Sequence, residues 1–248
     1  MSLITLNNKN IGPVNWENKA WCDHDLGDHI HVWQVDINEH LPHIDKLRDV
    51  LTADEITRAN KYLRSTNRDK FITSRGSLRY ILSGYLKCPP SDIRFKLTGS
   101  DKPEIDSPTT PKIHFNLSDS ADRVLIAIGA SPVGIDVELI NPKFSYHAIL
   151  NNNFSAHEAA YINFDDNFKR FFLLWTRKEA ILKATGIGLT DHLKLIPSLD
   201  GEHVIDGTLL STANNWQLNS FEISGDYIAT IATNMLKNNL RFWSYYVE

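Results

Sequence analysis

Cysteine is nearly absent from this chain: Cys22 and Cys88 are the only two among 248 residues. Two thiols are too few for a disulfide framework, as expected of a protein in a reducing cytosol. Long apolar runs are missing as well. The longest, Val124 to Ile135, is broken by Gly129, Ser131, Pro132 and Gly134, so it does not read as a membrane span. The first residues lack the basic-then-apolar pattern of a secretory signal. Basic charge is not in excess either: 26 Lys and Arg stand against 30 Asp and Glu, a net charge of -4. That balance argues against a general nucleic-acid binder. What is plentiful is apolar side chain, 42% of the residues, enough for the core of one large domain or two ordinary ones. A cytoplasmic globular protein is expected, with neither membrane nor nucleic acid among its partners.

The order of elements can be read from periodicity and caps. His31 to Ile37 reads as a strand, and Thr52-Ala-Asp-Glu55 has the spacing of a helix-opening capping box. A long helix is predicted after Asn67, with Phe71, Leu78, Ile81, Leu82 and Tyr85 as its apolar positions and Pro89-Pro90 as its stop. Short strands are predicted at 93–97, 113–117, 124–128 and 134–139. Ser155-Ala-His-Glu158 repeats the capping box, and a second long helix is predicted from Phe168 to Thr185, stopped by Gly186 and Gly188. Strands are predicted at 216–223, 227–233 and 240–247.

This order repeats within the chain. The two capping boxes are 103 residues apart, and Lys70-Phe71 with Ile81-Leu82 matches Arg170-Phe171 with Ile181-Leu182 at a spacing of 100. The reading is an α+β protein of two similar halves, joined near Ala130-Ser-Pro132 and related by a pseudo-two-fold axis. Each half is expected to be an antiparallel sheet packed with a long helix. The halves differ in charge. Gln34 and Asp36 stand where the second half has Asp136 and Glu138, and Arg79 stands where it has Glu179. One active site per chain is expected, from the second half.

Asp136 and Glu138 are two apart in a β-branched run, so they leave one face of a strand together. Glu179 and Lys183 are four apart in a helical pattern and share a face. Three carboxylates and a lysine on a strand and a helix suit a hard cation and a phosphate-bearing substrate. Mg²⁺ is the expected metal, with Mn²⁺ as an alternative. Taken alone, Glu179 and Lys183 would be an ordinary solvated helix pair.

Gly134-Ile-Asp-Val-Glu138 and Trp175-Thr-Arg-Lys-Glu-Ala-Ile-Leu-Lys-Ala-Thr-Gly-Ile-Gly-Leu189 together resemble the 4′-phosphopantetheinyl transferase superfamily, in its longer, two-half type exemplified by the surfactin-synthetase activator. That family reads G-I/V-D-I/V-E and then W-S/T-x-K-E-A/S-x-x-K-x-x-G-x-G-L. Phe115-Asn-Leu-Ser118, Lys102-Pro103, Ser91-Asp-Ile-Arg-Phe95 and Phe154-Ser-Ala-His-Glu158 extend the resemblance over roughly residues 50 to 195. The resemblance implies transfer of the phosphopantetheine arm of coenzyme A to a serine of an acyl or peptidyl carrier protein, with release of 3′,5′-ADP. It implies Asp136, Glu138 and Glu179 as metal ligands and Glu179 as the group that activates the serine. Lys183 and Lys178 would lie at the phosphates and Lys102-Pro103 by the adenine. Arg58, Lys70 and Ser118 would lie near the 3′-phosphate. Residues 1–131 would then carry the adenine and 3′-phosphate contacts, and 132–248 the metal and catalytic groups, in a monomer.

Two positions depart from the family. Asp119 stands where the family has histidine on the coenzyme A phosphates, and Asp101 replaces the glycine of G-K-P. A carboxylate repels phosphate, so the first contact is lost or replaced. His114, on the Asn116 and Ser118 face, is a candidate partial substitute, with a structural surface histidine as the favoured reading. His24, His29 and His31 fit no zinc spacing and read as a polar segment before a strand. Two rival readings remain: a metal-dependent phosphodiesterase or nuclease, disfavoured by the acidic charge, and a catalytically impaired carrier-binding homologue, motivated by Asp119 and Asp101.

Overall fold

The computed structural model describes residues 2–98, 102–106, 112–164, 168–188, 192–235 and 239–247. In chain order its strands and α-helices are β1 (Leu3–Pro13), β2 (Glu17–Asn18), β3 (His29–Asp36), α1 (Ile37–His40), α2 (Ile44–Asp49), α3 (Ala53–Asn60), α4 (Ser65–Leu86), β4 (Phe95–Leu97), β5 (Pro103–Ile105), β6 (His114–Ser120), β7 (Arg123–Gly129), β8 (Val133–Leu139), α5 (His147–Asn153), α6 (Ala156–Asn163), α7 (Phe168–Thr185), β9 (Gly201–Asp206), β10 (Trp216–Ile223), β11 (Tyr227–Thr233) and β12 (Asn239–Ser244). The protein is α+β, and no helix among the described residues is long and apolar enough to cross a membrane.

Two five-stranded sheets carry the fold, in the orders β8-β11-β10-β1-β9 and β2-β12-β3-β7-β6. Strands β8, β11 and β10 pair antiparallel in turn, and so do β3, β7 and β6. The expectation of purely antiparallel sheets needs correction, because each sheet takes a parallel strand from the far end of the chain. β1 lies parallel to β10, and β12 lies parallel to β3. The N-terminal strand thereby completes the sheet of the second half, and the C-terminal strand completes that of the first.

Both faces of the central strands are buried, which explains their near-continuous apolar sequence. Trp33, Val35, Ile126 and Ile128 face the α4 side, where they join Leu78, Ile81 and Leu82 in one cluster. Val32, Leu125 and Ala127 alternate to the other face, where they meet Val133, Ile135 and Val137 of the second sheet. The two sheets therefore pack on each other. On its other face the second sheet packs against α7, through Ala180, Ile181 and Ala184 with Leu218 and Ala232.

Both expected capping boxes form. Thr52 accepts from the Glu55 N–H while Glu55 accepts from the Thr52 N–H, and Ser155 with Glu158 does the same. Each glutamate then meets a buried cation of the following long helix. Arg79 pairs with Glu55 at 2.8 Å and also donates to the carbonyls of Pro90 and Ile93. Lys178 pairs with Glu158 at 3.2 Å and donates to the carbonyls of Leu193 and Ile196. In role, Arg79 corresponds to Lys178 rather than to Glu179, which shifts the repeat by one residue there. Helix α7 spans the predicted interval and ends at Gly186, whose φ of 75° and N–H bond to Leu182 O at 2.8 Å form a left-handed stop.

Candidate active site

Gly134 opens the site because it lets β8 and α7 touch. A Cβ at this position would lie 2.2 Å from the Ala180 carbonyl and 2.3 Å from the Ala184 nitrogen. That close approach sets Asp136 and Glu138 of β8 against Glu179 and Lys183 of α7. Strand β8 is the edge of its sheet, so one row of its N–H groups has no strand partner. Side chains of β6 take their place. Asn116 Oδ1 accepts from the Ile135 N–H at 2.8 Å, and Ser120 Oγ accepts from the Leu139 N–H at 3.1 Å.

The same face of β6 fixes the carboxylates. Ser118 donates to Asp136 Oδ1 at 2.8 Å and Ser120 donates to Glu138 Oε2 at 2.9 Å. Lys183 Nζ lies 2.7 Å from Asp136 Oδ1 and donates to Ser118 Oγ at 2.9 Å. The lysine is therefore not an ordinary solvated partner of Glu179; it reaches across to the strand. Glu179 makes no hydrogen bond or ion pair among the described residues.

Burial and mutual repulsion shape the electrostatics. Asp136 is almost fully buried, which raises its pKa against the opposing pull of Lys183 and Ser118. Glu138 is raised by burial and then by Asp136, with Ser120, Lys183 and Lys70 opposing. Burial, then Asp136, pushes Glu179 up to about 7, with Lys183 opposing and Glu138 adding to the rise. A carboxyl in that range exchanges a proton near neutral pH.

Among the described residues no three His, Cys, Asp or Glu side chains are gathered as a finished metal cage. The donor set nevertheless suits a hard cation. Asp136 Oδ2 is buried and has no hydrogen-bond partner among the described residues, an orphaned anionic oxygen. Mg²⁺ commonly takes one or two carboxylates and completes its shell with water and substrate phosphate. The residues present fit that arrangement.

Other expected site residues lie elsewhere. Asp119 is turned onto Lys70, at 2.5 Å. Lys102 Nζ donates to the carbonyls of Lys183 at 2.6 Å, Val133 at 3.2 Å and Ala184 at 3.3 Å, so it caps the end of α7. Burial lowers it to about 8. With Pro103 and His114 it lines a cavity of about 430 Å³. Arg58 lines a second cavity of about 1030 Å³, which Pro103 also borders.

Lys178 requires a correction. It is fully buried between Glu158, the Leu193 and Ile196 carbonyls and the Phe154 ring, and it does not join the acidic cluster. Its neighbour Glu179 faces the cluster, so the two adjacent residues diverge around the helix. Asp101 and Leu189 lie outside the described residues. His31 is a core residue bonded to Tyr85 at 2.7 Å, not part of a polar loop. Sequence reasoning missed Ser120 and the role of Asn116. The signal was the two-residue alternation Asn116, Ser118, Ser120 on one strand face.

Fold and site together describe an α+β enzyme with a lysine-braced carboxylate site suited to a phosphate-bearing substrate. The 4′-phosphopantetheinyl transferase superfamily matches residues 132–232, the stretch from β8 to β11. The chain is 29% identical over 229 residues to the 4′-phosphopantetheinyl transferase HetI of Nostoc sp. (strain PCC 7120 / SAG 25.82 / UTEX 2576), covering 89% of this chain and 94% of that one. It is 34% identical over 116 residues to the 4′-phosphopantetheinyl transferase Sfp of Bacillus subtilis (strain 168), covering 46% and 50%. To the 4′-phosphopantetheinyl transferase AcpT of Escherichia coli O157:H7 it is 33% identical over 123 residues, covering 48% and 58%. All three relatives are named 4′-phosphopantetheinyl transferases, and the stretch that matches the superfamily model holds Asp136, Glu138, Glu179 and Lys183.

Proposed function

We propose that the protein moves the 4′-phosphopantetheine arm of coenzyme A onto a serine of an apo acyl or peptidyl carrier protein and releases 3′,5′-ADP. The observation that carries this reading is the Asp136, Ser118 and Lys183 knot, with an orphaned Asp136 oxygen, beside a Glu179 pushed up to about 7. In the reaction the serine Oγ bonds to the pantetheine-side phosphorus, and the bridging P–O bond to 3′,5′-ADP breaks. Glu179 takes the serine proton, directly or through a water. Lys183 offsets charge that develops on the leaving phosphate. Asp136, Glu138 and Glu179 would hold Mg²⁺, which supplies Lewis-acid neutralisation of the pyrophosphate. Ser118 and Ser120 keep two of those carboxylates aimed before substrate arrives.

In this reading the adenine lies by Lys102-Pro103 and the 3′-phosphate at Arg58 and Lys70, within the first half, residues 1–131. The metal and catalytic groups belong to residues 132–248. The shared three-strand core, β3-β7-β6 in one sheet and β8-β11-β10 in the other, and the matched capping-box glutamates with their buried cations support two halves related by a pseudo-two-fold axis. The chain acts as a cytoplasmic monomer, because one chain supplies both halves of the cleft.

The test is to incubate the protein with coenzyme A, Mg²⁺ and an apo carrier protein and then weigh the carrier. A gain of one phosphopantetheine per carrier supports the reading. Carriers of both the acyl and peptidyl kind left at their apo mass would rule it out.

A further inference from the structure

We propose that Lys102 is a positioning residue for Lys183, fastening the last turn of α7 to the first residue of β8 from the opposite half of the chain. This inference rests on the reading of Lys183 as the cation at the leaving phosphate. Lys102 stands immediately before β5, on the hairpin that β5 makes with β4. Phe95 pairs with Ile105 and Leu97 with Pro103 across that hairpin, and the Thr98 N–H donates to the Lys102 carbonyl at 3.0 Å. Ile105 is buried, and the Phe95 ring packs against Phe115 of β6 at 5.4 Å between centroids. The hairpin is therefore seated on the first sheet, while its lysine side chain reaches the second half.

The three carbonyls it takes belong to two elements that must stay together. The last carbonyls of a helix have no N–H partner within it. At the end of α7 the Gly186 N–H takes the Leu182 carbonyl, and Lys102 Nζ takes those of Lys183 at 2.6 Å and Ala184 at 3.3 Å. An ammonium there also faces the negative end of the helix dipole. The third bond, to the Val133 carbonyl at 3.2 Å, holds the residue before Gly134, whose missing side chain lets strand and helix touch. Lys183 is thus fixed at both ends, its carbonyl by Lys102 and its Nζ by Asp136 at 2.7 Å and Ser118 at 2.9 Å. Without the first hold the last turn frays, as helix ends do, and the ammonium leaves the strand. Because the Lys102 ammonium is committed to backbone, an adenine beside it meets the peptide and the Pro103 ring instead.

The experiment compares wild type with Lys102→Met, a side chain of similar length without donor or charge. Lys183 is read first, by brief reductive methylation and peptide mass spectrometry, with the exposed Lys9 and Lys61 as internal references. Methylation needs the neutral amine, which pairing with Asp136 disfavours. In Lys102→Met the reaction at Lys183 should rise by about threefold or more relative to those references. Turnover at saturating coenzyme A should fall by about tenfold or more, while coenzyme A affinity in calorimetry stays within about twofold. A merely structural role would lower the thermal midpoint without singling out Lys183. Unchanged Lys183 reactivity in folded Lys102→Met overturns the proposal, and so does lost coenzyme A affinity with turnover retained. If Lys102→Met does not fold, Lys102→Gln takes its place, and unchanged Lys183 reactivity there overturns the proposal by itself. Methylation involves no substrate, so a wild type that modifies no carrier, while Lys102→Met frees Lys183, refutes the functional reading alone.

Discussion

Gly134→Ala puts the contact between β8 and α7 directly at stake. The added methyl would lie 2.2 Å from the Ala180 carbonyl, 2.3 Å from the Ala184 nitrogen and 2.8 Å from the Ala184 Cα, all backbone atoms that cannot swing aside. Restoring an ordinary contact moves the helix away from the strand by about 1 Å. Overpacking of this kind costs about 1–3 kcal/mol. For a chain of this size each kcal/mol lowers the thermal midpoint by about 2–4 °C. The same shift parts Lys183 from Asp136, now 2.7 Å away, and a 1 Å misplacement of catalytic groups costs about a hundredfold in rate. Turnover should therefore fall further than the stability loss explains. Gly129→Ala is the control, since its Cβ would meet nothing closer than 3.4 Å. Thermal unfolding and carrier-modification rate, measured on the same preparations, decide. A Gly134→Ala protein with wild-type midpoint and turnover refutes the reasoning.

Lys178→Met should cost about 3–5 kcal/mol, because it strands the buried Glu158 carboxylate, and adding Glu158→Gln should recover much of it; a stable Lys178→Met with lost coenzyme A affinity would return Lys178 to the substrate. Asp119→His releases Lys70 and should tighten coenzyme A binding by about 1 kcal/mol in calorimetry. A marked loss of activity there would give Asp119 a positive role. Metal-free stability should decline as pH rises from about 4.5 to about 7, because Glu179 holds its proton more tightly folded than unfolded, a linkage worth up to about 3 kcal/mol. Glu179→Gln should remove that slope in denaturant titrations at stepped pH, and an unchanged slope would contradict the assignment.

Strong local signals made much of the fold legible. The interval of α7, both capping boxes and the strands at 216–223 and 227–233 follow from periodicity and caps, which act within a few residues. β1 was not legible. Its place is set by pairing with β10 some two hundred residues away, and its sequence Leu3-Ile-Thr-Leu-Asn-Asn-Lys-Asn10 turns polar halfway. Helix α5, His147–Asn153, lacks a side-chain cap and ends in three asparagines, so propensity argued against it. In the site, Asp136, Glu138, Glu179 and Lys183 were readable from spacing. Lys178 misled because adjacency in a helix motif does not mean a shared face: a step of about 100° sends it into the core while Glu179 faces the strand. Ser120 carries no motif of its own, and its partners Glu138 and Leu139 come from another strand.

The most direct measurement compares wild type with Asp136→Asn, a variant of nearly the same shape. Apo carrier protein, coenzyme A and Mg²⁺ are incubated with each, and carrier mass and released 3′,5′-ADP are followed together over time. Wild type should convert the carrier with one 3′,5′-ADP released per phosphopantetheine attached, while folded Asp136→Asn leaves the carrier in its apo form. Equal conversion by the two proteins, or carrier modification without release of 3′,5′-ADP, would contradict a transfer carried out at the β8 and α7 carboxylates.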